Sequence, residues 1–425
     1  MCEGSVIVVN CPVPDPSTTY KQVLHLVDIL LSSFVIGPLV IAAWRGIWNL
    51  ADIYLFPDDG IDSALASIVI GLVGYMLFML PQKLICDSFN RDKHRITFYI
   101  FSRLYTFIFA VISVLGCRGP WNLVDLLTPY ELTWINLLTV AAVVLLIVTK
   151  SLANVNAAPF LITTDEHEDY FLINTRFKTS ATEEPVIYIL DCLFSTLVIG
   201  SLVAVAWRGI WAVCDILLYP DDGAYSAWAS TIIGYTLTAL TFAIQPITRS
   251  LCDQIDGYRR IAVADAFLFF SFIGCVNVWR GIWMLLDVYF IPDDYTLSNW
   301  VSYCLSFLLL VLLNCSNSIL VRGVFIDAEE PSGKCVVFPI YYIRLVFQKQ
   351  RSKKYRYLID LFREQNQDKN ILVVLEKNQE DCTTNVIHIN TGISDEKLEK
   401  SKGFATQNCM GEDAVLINEY RIVFD

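Results

Sequence analysis

The sequence predicts an all-α polytopic membrane protein with eight transmembrane helices, arranged as four helical-hairpin repeats in two parallel halves. Its 425 residues are 55% hydrophobic and only 17% charged, and the mean hydropathy of +0.50 is too high for an ordinary soluble domain. Eight apolar runs, here called spans 1 to 8, approach the roughly 20 residues that cross a bilayer. They lie at about 22–47, 64–82, 96–118, 133–153, 186–210, 227–248, 261–282 and 299–320.

A motif with two tryptophans, an arginine, a glycine and an aspartate ends each odd-numbered span and leads to Pro-Asp-Asp. Its four copies contain Trp44, Arg45, Gly46, Trp48 and Asp52; Arg118, Gly119, Trp121 and Asp125; Trp207, Arg208, Gly209, Trp211 and Asp215; and Trp279, Arg280, Gly281, Trp283 and Asp287. The second copy is degenerate, with Cys117 for the first tryptophan and Pro129-Tyr130-Glu131 for Pro-Asp-Asp. A motif at a fixed period identifies the repeating unit of a fold.

The spacing of the motif arginines indicates a duplicated four-span half. Copies one and three are 163 residues apart and copies two and four 162, whereas neighbouring copies are 73, 90 and 72 apart. Because each half has an even number of spans, both halves cross the membrane in the same direction, as parallel repeats do.

The distribution of lysine and arginine predicts the orientation. These residues concentrate between spans 2 and 3 and between spans 6 and 7, whereas the motif-side loops contain no lysine, so the motif face is predicted to be exoplasmic. The predicted divisions are a cytoplasmic N-terminus (1–20), a first half (21–160), a cytoplasmic linker (161–184), a second half (185–322) and a cytoplasmic C-terminal region (323–425). Strand-like patterns at 371–377, 385–390 and 414–424 suggest β content in the last of these.

Composition argues against several kinds of chemistry. A net charge of −12 disfavours nucleic-acid binding. The thirteen cysteines form no C-x-x-C pair and the four histidines are far apart, so neither a metal site nor another cofactor is predicted. Neither a G-x-S-x-G nor a Walker sequence occurs, and no enzymatic activity is predicted. The N-terminus lacks the basic region of a cleaved signal peptide. The oligomeric state is not encoded in any pattern.

The motif residues allow more than one arrangement. Arg45 lies about 10.5 Å below Asp52 on a continuous helix, so each arginine could meet the aspartate of another copy in a ring or stack on a tryptophan. Such pairs could lock the repeats together or line a pore or ligand site. All ten tryptophans fall at the motif ends of the spans, where a one-sided aromatic belt would keep their N–H groups in water.

The Pro-Asp-Asp segments are predicted to end one helix and begin the next. Ser63, Ser226 and Ser298 recur six residues after the prolines and are predicted as helix N-caps. An alternative use of the six aspartates is weak Ca²⁺ binding on the exoplasmic face.

Four charges lie deeper in the spans. Asp28 and Asp191 precede their motif tryptophans by sixteen residues, Asp265 precedes Trp279 by fourteen, and Arg103 precedes Cys117 by fourteen. A buried ion-pair cluster would satisfy them. A cytoplasmic vestibule for a cation, proton or amine is the alternative, since intramembrane charges often mark such pathways.

The repeated motif on an eight-span chain resembles the Fuseless family of multi-pass neuronal membrane proteins, over roughly residues 20–325. The resemblance implies a presynaptic plasma-membrane protein that supports synaptic transmission by localising voltage-gated calcium channels. Its expected partners are membrane lipids and a calcium channel or active-zone scaffold, recruited through the loop 154–185 and the tail 325–425. A small-molecule or ion transporter that uses the acidic positions, and a pore-forming subunit, remain alternatives.

Overall fold

The computed structural model describes residues 7–10, 18–89, 95–165, 170–327, 335–347, 350, 353, 371–377 and 385–391. The chain divides into two compact units, 28–342 and the combination of 1–27 with 343–425. The helices are α1 Thr18–Leu31, α2 Gly37–Tyr54, α3 Gly60–Met79, α4 Gln82–Ser88, α5 Arg95–Leu127, α6 Leu132–Val148, α7 Pro185–Leu193, α8 Gly200–Leu217, α9 Gly223–Gln254, α10 Gly257–Tyr289 and α11 Tyr295–Leu312.

Short π-helical turns connect two pairs of these helices into continuous rods. Ser32–Ile36 joins α1 to α2, and Phe194–Ile199 joins α7 to α8. The two turns occupy corresponding places in the two sequence halves, and the membrane-length parts of the two rods, Gln22–Tyr54 and Pro185–Leu217, are each 33 residues long.

Among the described residues, seven helices, counting each rod as one, are long and apolar enough to cross a membrane, and α6, an apolar helix of 17 residues, falls just below that length. Their outward faces are apolar, as lipid contact requires. On α3, for example, Val69, Val73 and Leu77 are exposed, and on α11 so are Leu305, Leu308 and Leu312. The protein is therefore a multi-pass helical membrane protein.

The four helices that carry the motif, α2, α5, α8 and α10, form the inside of the bundle and are here called the motif helices. Each contacts the next, and α10 contacts α2, so they close a ring. The four helices that follow them, α3, α6, α9 and α11, are the partner helices. Each motif helix packs most extensively on the partner helix of the preceding copy: α5 on α3, α8 on α6, α10 on α9 and α2 on α11. The main packing is thus between copies, rather than between a motif helix and the partner helix that follows it.

The motif glycine makes this close packing possible. A Cβ atom on Gly46 would lie 2.6 Å from the Asn299 carbonyl oxygen of α11, and one on Gly119 would lie 2.8 Å from the Ile68 nitrogen of α3. These contacts are with backbone atoms, which cannot move aside without moving the helix. Gly209 and Gly281 lie at the same position on their helices.

The segments that follow α6 and α11 turn back into the bundle. Each begins with a 3₁₀ turn, Leu152–Val155 and Ser316–Ile319, and their apolar residues belong to the core, with Val155 and Phe160 fully buried. The linker predicted at 161–184 is therefore partly internal, as Ile162, Tyr170 and Ile173 are also buried.

The second unit contains three antiparallel strands in the order β1-β3-β2: β1 Ile7–Asn10, β2 Ile371–Lys377 and β3 Asn385–Thr391. Ile7 pairs with Ile389, and Ile371 pairs with Thr391. The strand pattern at 414–424 lies outside the described residues.

Candidate functional site

The four motif arginines form a closed ring of ion pairs in which each arginine binds the aspartate of the preceding copy. The pairs are Arg118 Nη2 to Asp52 Oδ1 at 2.6 Å, Arg208 Nε to Asp125 Oδ1 at 2.7 Å, Arg280 Nη2 to Asp215 Oδ1 at 2.8 Å, and Arg45 Nε to Asp287 Oδ1 at 2.7 Å. Of the arrangements that the sequence left open, the structure has the ring between copies. It joins the first copy to the last.

Two serines on a partner helix complete the binding of three of these arginines. Arg118 donates to Ser67 Oγ at 2.6 Å and to Ser63 Oγ at 2.9 Å. Arg280 and Arg45 make the same contacts with equivalent serines, which are Ser230, Ser226, Ser302 and Ser298. The arginine side chains are only 1–2% exposed, whereas the aspartates are 36–43% exposed. A guanidinium buried this far needs nearly every N–H group satisfied.

The degenerate second copy changes the surroundings of one arginine in the ring, Arg208. At the two serine positions α6 has Ile135 and Thr139, and in the described part of the chain the Arg208 Nη2 atom has no hydrogen-bond partner. Tyr130, which replaces an aspartate, lies with its ring 5.8 Å from the Arg208 guanidinium and donates to Asp215 Oδ2 at 3.2 Å. Burial, together with Asp215, raises the pKa of Tyr130 to about 12, so the phenol keeps its donor proton.

The structure corrects the predicted N-caps. The caps are the second aspartates of the Pro-Asp-Asp segments. Asp59 Oδ1 accepts from the backbone of Ile61 and Asp62, Asp222 likewise accepts from two backbone N–H groups of α9, and Asp294 accepts from one on α11, that of Leu297. Ser63 instead lies one turn into α3, where its hydroxyl donates to the Leu55 carbonyl at the end of α2. The predicted serines therefore tie together the two ends of the turn while they accept from an arginine.

A ring of four tryptophans lies in the centre of the motif helices. Trp48, Trp121, Trp211 and Trp283 contact one another in a closed cycle, edge to face, with neighbouring ring centroids 5.4, 5.8, 5.7 and 6.0 Å apart. These are the ordinary distances of packed aromatic pairs. The four indoles therefore pack against one another where the motif helices meet, and each remains partly exposed.

The three tryptophans at the first motif position bind the segments that turn back into the bundle. Trp44 Nε1 donates to the Ile319 carbonyl at 2.8 Å, Trp207 Nε1 to Val155 at 2.9 Å and Trp279 Nε1 to Ala158 at 2.7 Å. The prediction that all ten indole N–H groups lie in water was therefore wrong for these three. Trp134, Trp228 and Trp300, at the starts of the partner helices, are 44–50% exposed and fit the predicted belt.

The four deeper charges do not form the predicted ion-pair cluster. Arg103 pairs with Asp165 in the segment after α6, at 2.9 Å from Nη1 to Oδ2. Asp191 accepts from the Phe177 and Thr179 backbone, and Asp28 accepts from the Tyr342 backbone. The segments that turn back thus supply the partners, because their N–H groups reach carboxylates that apolar helices alone would leave unpaired. Asp265 is buried, and its Oδ1 atom has no hydrogen-bond partner among the described residues.

No group of three or more histidine, cysteine, aspartate or glutamate side chains suited to a metal ion occurs within the described ranges. Asp59, Asp222 and Asp294 are engaged as helix caps. This use leaves fewer oxygens for the Ca²⁺ alternative, and that alternative has no second feature to support it.

A family model described as Fuseless matches residues 23–320. The chain belongs to the Fuseless family. The match covers all four copies of the motif and both helical halves, and it confirms the resemblance that the motif suggested. No curated protein and no solved structure matches the chain significantly.

Sequence reasoning missed two sets of residues in this Fuseless-family chain. The serines that bind the arginines recur four residues apart in three copies, a helical spacing that places both on one face, but only the first of each pair was considered, and only as a cap. Asp165 and Asp327, in the segments that turn back, had no counterpart motif that would have singled them out.

We predict that Arg118→Met destabilises the protein by about 2–4 kcal/mol, because it removes the ion pair with Asp52 and the hydrogen bonds to two buried serines. The Asp52 carboxylate stays partly hydrated, which keeps the cost from being larger. Thermal unfolding in detergent measures this. Arg208→Met is the matched control. It should cost clearly less, since Arg208 lacks the two serine partners, and equal losses would contradict the importance assigned to the serines.

We predict that Trp279→Phe weakens the attachment of the segment after α6, because the buried Ala158 carbonyl loses its donor, at a cost of about 1–3 kcal/mol. Hydrogen exchange should become faster around 155–160. Trp283→Phe, which alters the tryptophan ring alone, serves as the comparison, and faster exchange in that variant only would show that the N–H bond is unimportant.

Proposed function

We propose that this Fuseless-family protein is a non-enzymatic presynaptic plasma-membrane protein that supports synaptic transmission by organising or localising voltage-gated calcium channels. Family membership supports the biological setting. The structural observation that carries the proposal is the closed ring of ion pairs between copies, since an ion-paired helical ring suits a rigid platform.

Two layers of contacts among the motif helices favour this role over that of a pore. The four tryptophans of the ring contact one another in one layer, and the carbonyls of Ile319, Val155 and Ala158 accept from indole N–H groups in the other. A conducting path between the motif helices would require both layers to come apart. The pore alternative therefore has less support than the organiser.

We propose eight membrane spans, with α6 as the fourth. Although α6 is only 17 residues long, it packs on α8 as the other partner helices pack on theirs, and at 1.5 Å per residue it extends about 25 Å. The proposed division follows the sequence: halves at 21–160 and 185–322, with both termini and the linker 161–184 on the cytoplasmic side. Its basis is the excess of lysine and arginine in the loops opposite the motif.

The partner-binding surface is proposed to be the region from 343 onward. The sequence had offered the whole tail from 325 and the loop 154–185. Much of both is internal, because Phe160, Ile162, Val336 and Phe338 are buried, and Val336 accepts from Gln245 at 2.9 Å. Removing residues before 343 would damage the bundle as well as any binding surface.

We predict that a chain ending at 342 still folds but recovers less calcium channel or active-zone scaffold protein than the full chain on cross-linking and co-purification from neuronal membranes. Size-exclusion behaviour and melting temperature check the folding of the truncated form. An unrelated eight-span protein sets the background.

Two results would count against this proposal. Undiminished recovery after truncation would exclude the tail as the binding surface. No enrichment of channel or scaffold proteins with the full chain would remove the organiser function itself and favour flux assays in reconstituted vesicles.

A further inference from the structure

Two carboxylates occupy equivalent places in the two segments that turn back into the bundle. Asp165 accepts from the backbone of Ser316 and Asn317, at the start of the second 3₁₀ turn. Asp327 accepts from Leu152 and Ala153, at the start of the first, both at 2.7 Å. Each half therefore caps the turn of the other with one buried aspartate, which is 4% exposed in both cases.

The side chains that face these two carboxylates are of opposite charge. In the first half Arg103 binds Asp165 at 2.9 Å and also donates to Tyr170 and Ser316. The residue 162 positions later, at the same distance before the motif, is Asp265. The same offset relates Asp165 to Asp327, so the repeat places Asp265 beside Asp327 as Arg103 lies beside Asp165, where their like charges oppose each other. Where one half has an ion pair, the other has two acids.

The surroundings of Asp265 supply little compensation. Asp265 is 6% exposed, and its buried Oδ1 atom has no hydrogen-bond partner in the described residues. Arg176 is the cation that acts on Asp327, and its Nε atom donates to the Thr149 carbonyl at 2.7 Å. Lys150 occupies the position equivalent to Asn314, which accepts from Arg103 in the first half. Lys150 is exposed, whereas Asp265 is buried.

Two neighbouring buried carboxylates are unfavourable without a positive charge between them. We propose that Asp265 and Asp327 bind a monovalent inorganic cation, in the position that the Arg103 guanidinium occupies in the first half. The charge balance sets the valence. Asp265, Asp327 and Arg176 together carry one net negative charge, which a monovalent ion neutralises, whereas a divalent ion would leave an excess charge buried.

The test is thermal unfolding of the full-length protein in detergent, in chloride salts of Na⁺, K⁺ or N-methylglucamine at one pH and one ionic strength. Na⁺ or K⁺ should raise the melting temperature saturably by a few degrees over N-methylglucamine. Asp265→Arg should be insensitive to the salt and, without Na⁺ or K⁺, at least as stable as the unsubstituted protein with it, because the arginine recreates the ion pair of the first half.

Asp265→Asn and Asp191→Asn form a matched pair. The first should lose the response to Na⁺ and K⁺, whereas the second should keep it, because Asp191 already accepts from backbone N–H groups. Equal melting temperatures in all three salts would overturn the proposal. So would a melting temperature that responds to pH and not to the cation, since the two acids would then share a proton.

Discussion

The ring of ion pairs between copies is the interaction on which the bundle depends. A guanidinium in an apolar interior is too costly to bury without a carboxylate, and its own aspartate is two helical turns away on the same rod. Each arginine therefore requires a neighbouring copy, and the pair between Arg45 and Asp287 requires the first copy to meet the last. The motif glycine then permits the approach, and in three of the four copies the partner-helix serines bind the remaining N–H groups of the arginine.

Much of this architecture could be predicted from sequence, because apolar length and a repeated motif are local properties. The multi-pass helical class and the family follow from them. The pairing of Arg118 with Asp52 could not be predicted, since it depends on which helices become neighbours. The spacing within one copy only suggested that Arg118 would not reach Asp125. The serine pairs were the missing signal, because Ser63 and Ser67 recur at helical spacing in two further copies.

The segments after α6 and α11 could not be recognised because their composition is that of a loop. Inside the bundle their backbone groups must be satisfied by protein atoms. Trp44 and Trp207 meet the last carbonyl of each 3₁₀ turn, and the aspartates of the opposite segment meet the first N–H groups. Indole N–H groups that would face water in a surface belt thus bind carbonyls inside the bundle. Which of these a tryptophan does depends on its depth in the bundle, and the residue type alone does not reveal that depth.

The places where the copies differ carry more information than the places where they agree. At Tyr130 an aromatic ring replaces an aspartate and contacts both Arg208 and Asp215, while the ion pairs of Arg208 with Asp125 and of Arg280 with Asp215 keep the ring of copies closed. Asp265 stands where the first half has an arginine, and its Oδ1 atom has no hydrogen-bond partner among the described residues. Replacing both members of a buried ion pair by apolar residues costs little. Packing alone would therefore have favoured apolar side chains at both Asp265 and Asp327. Retaining two acids is instead what a site for a positive charge requires.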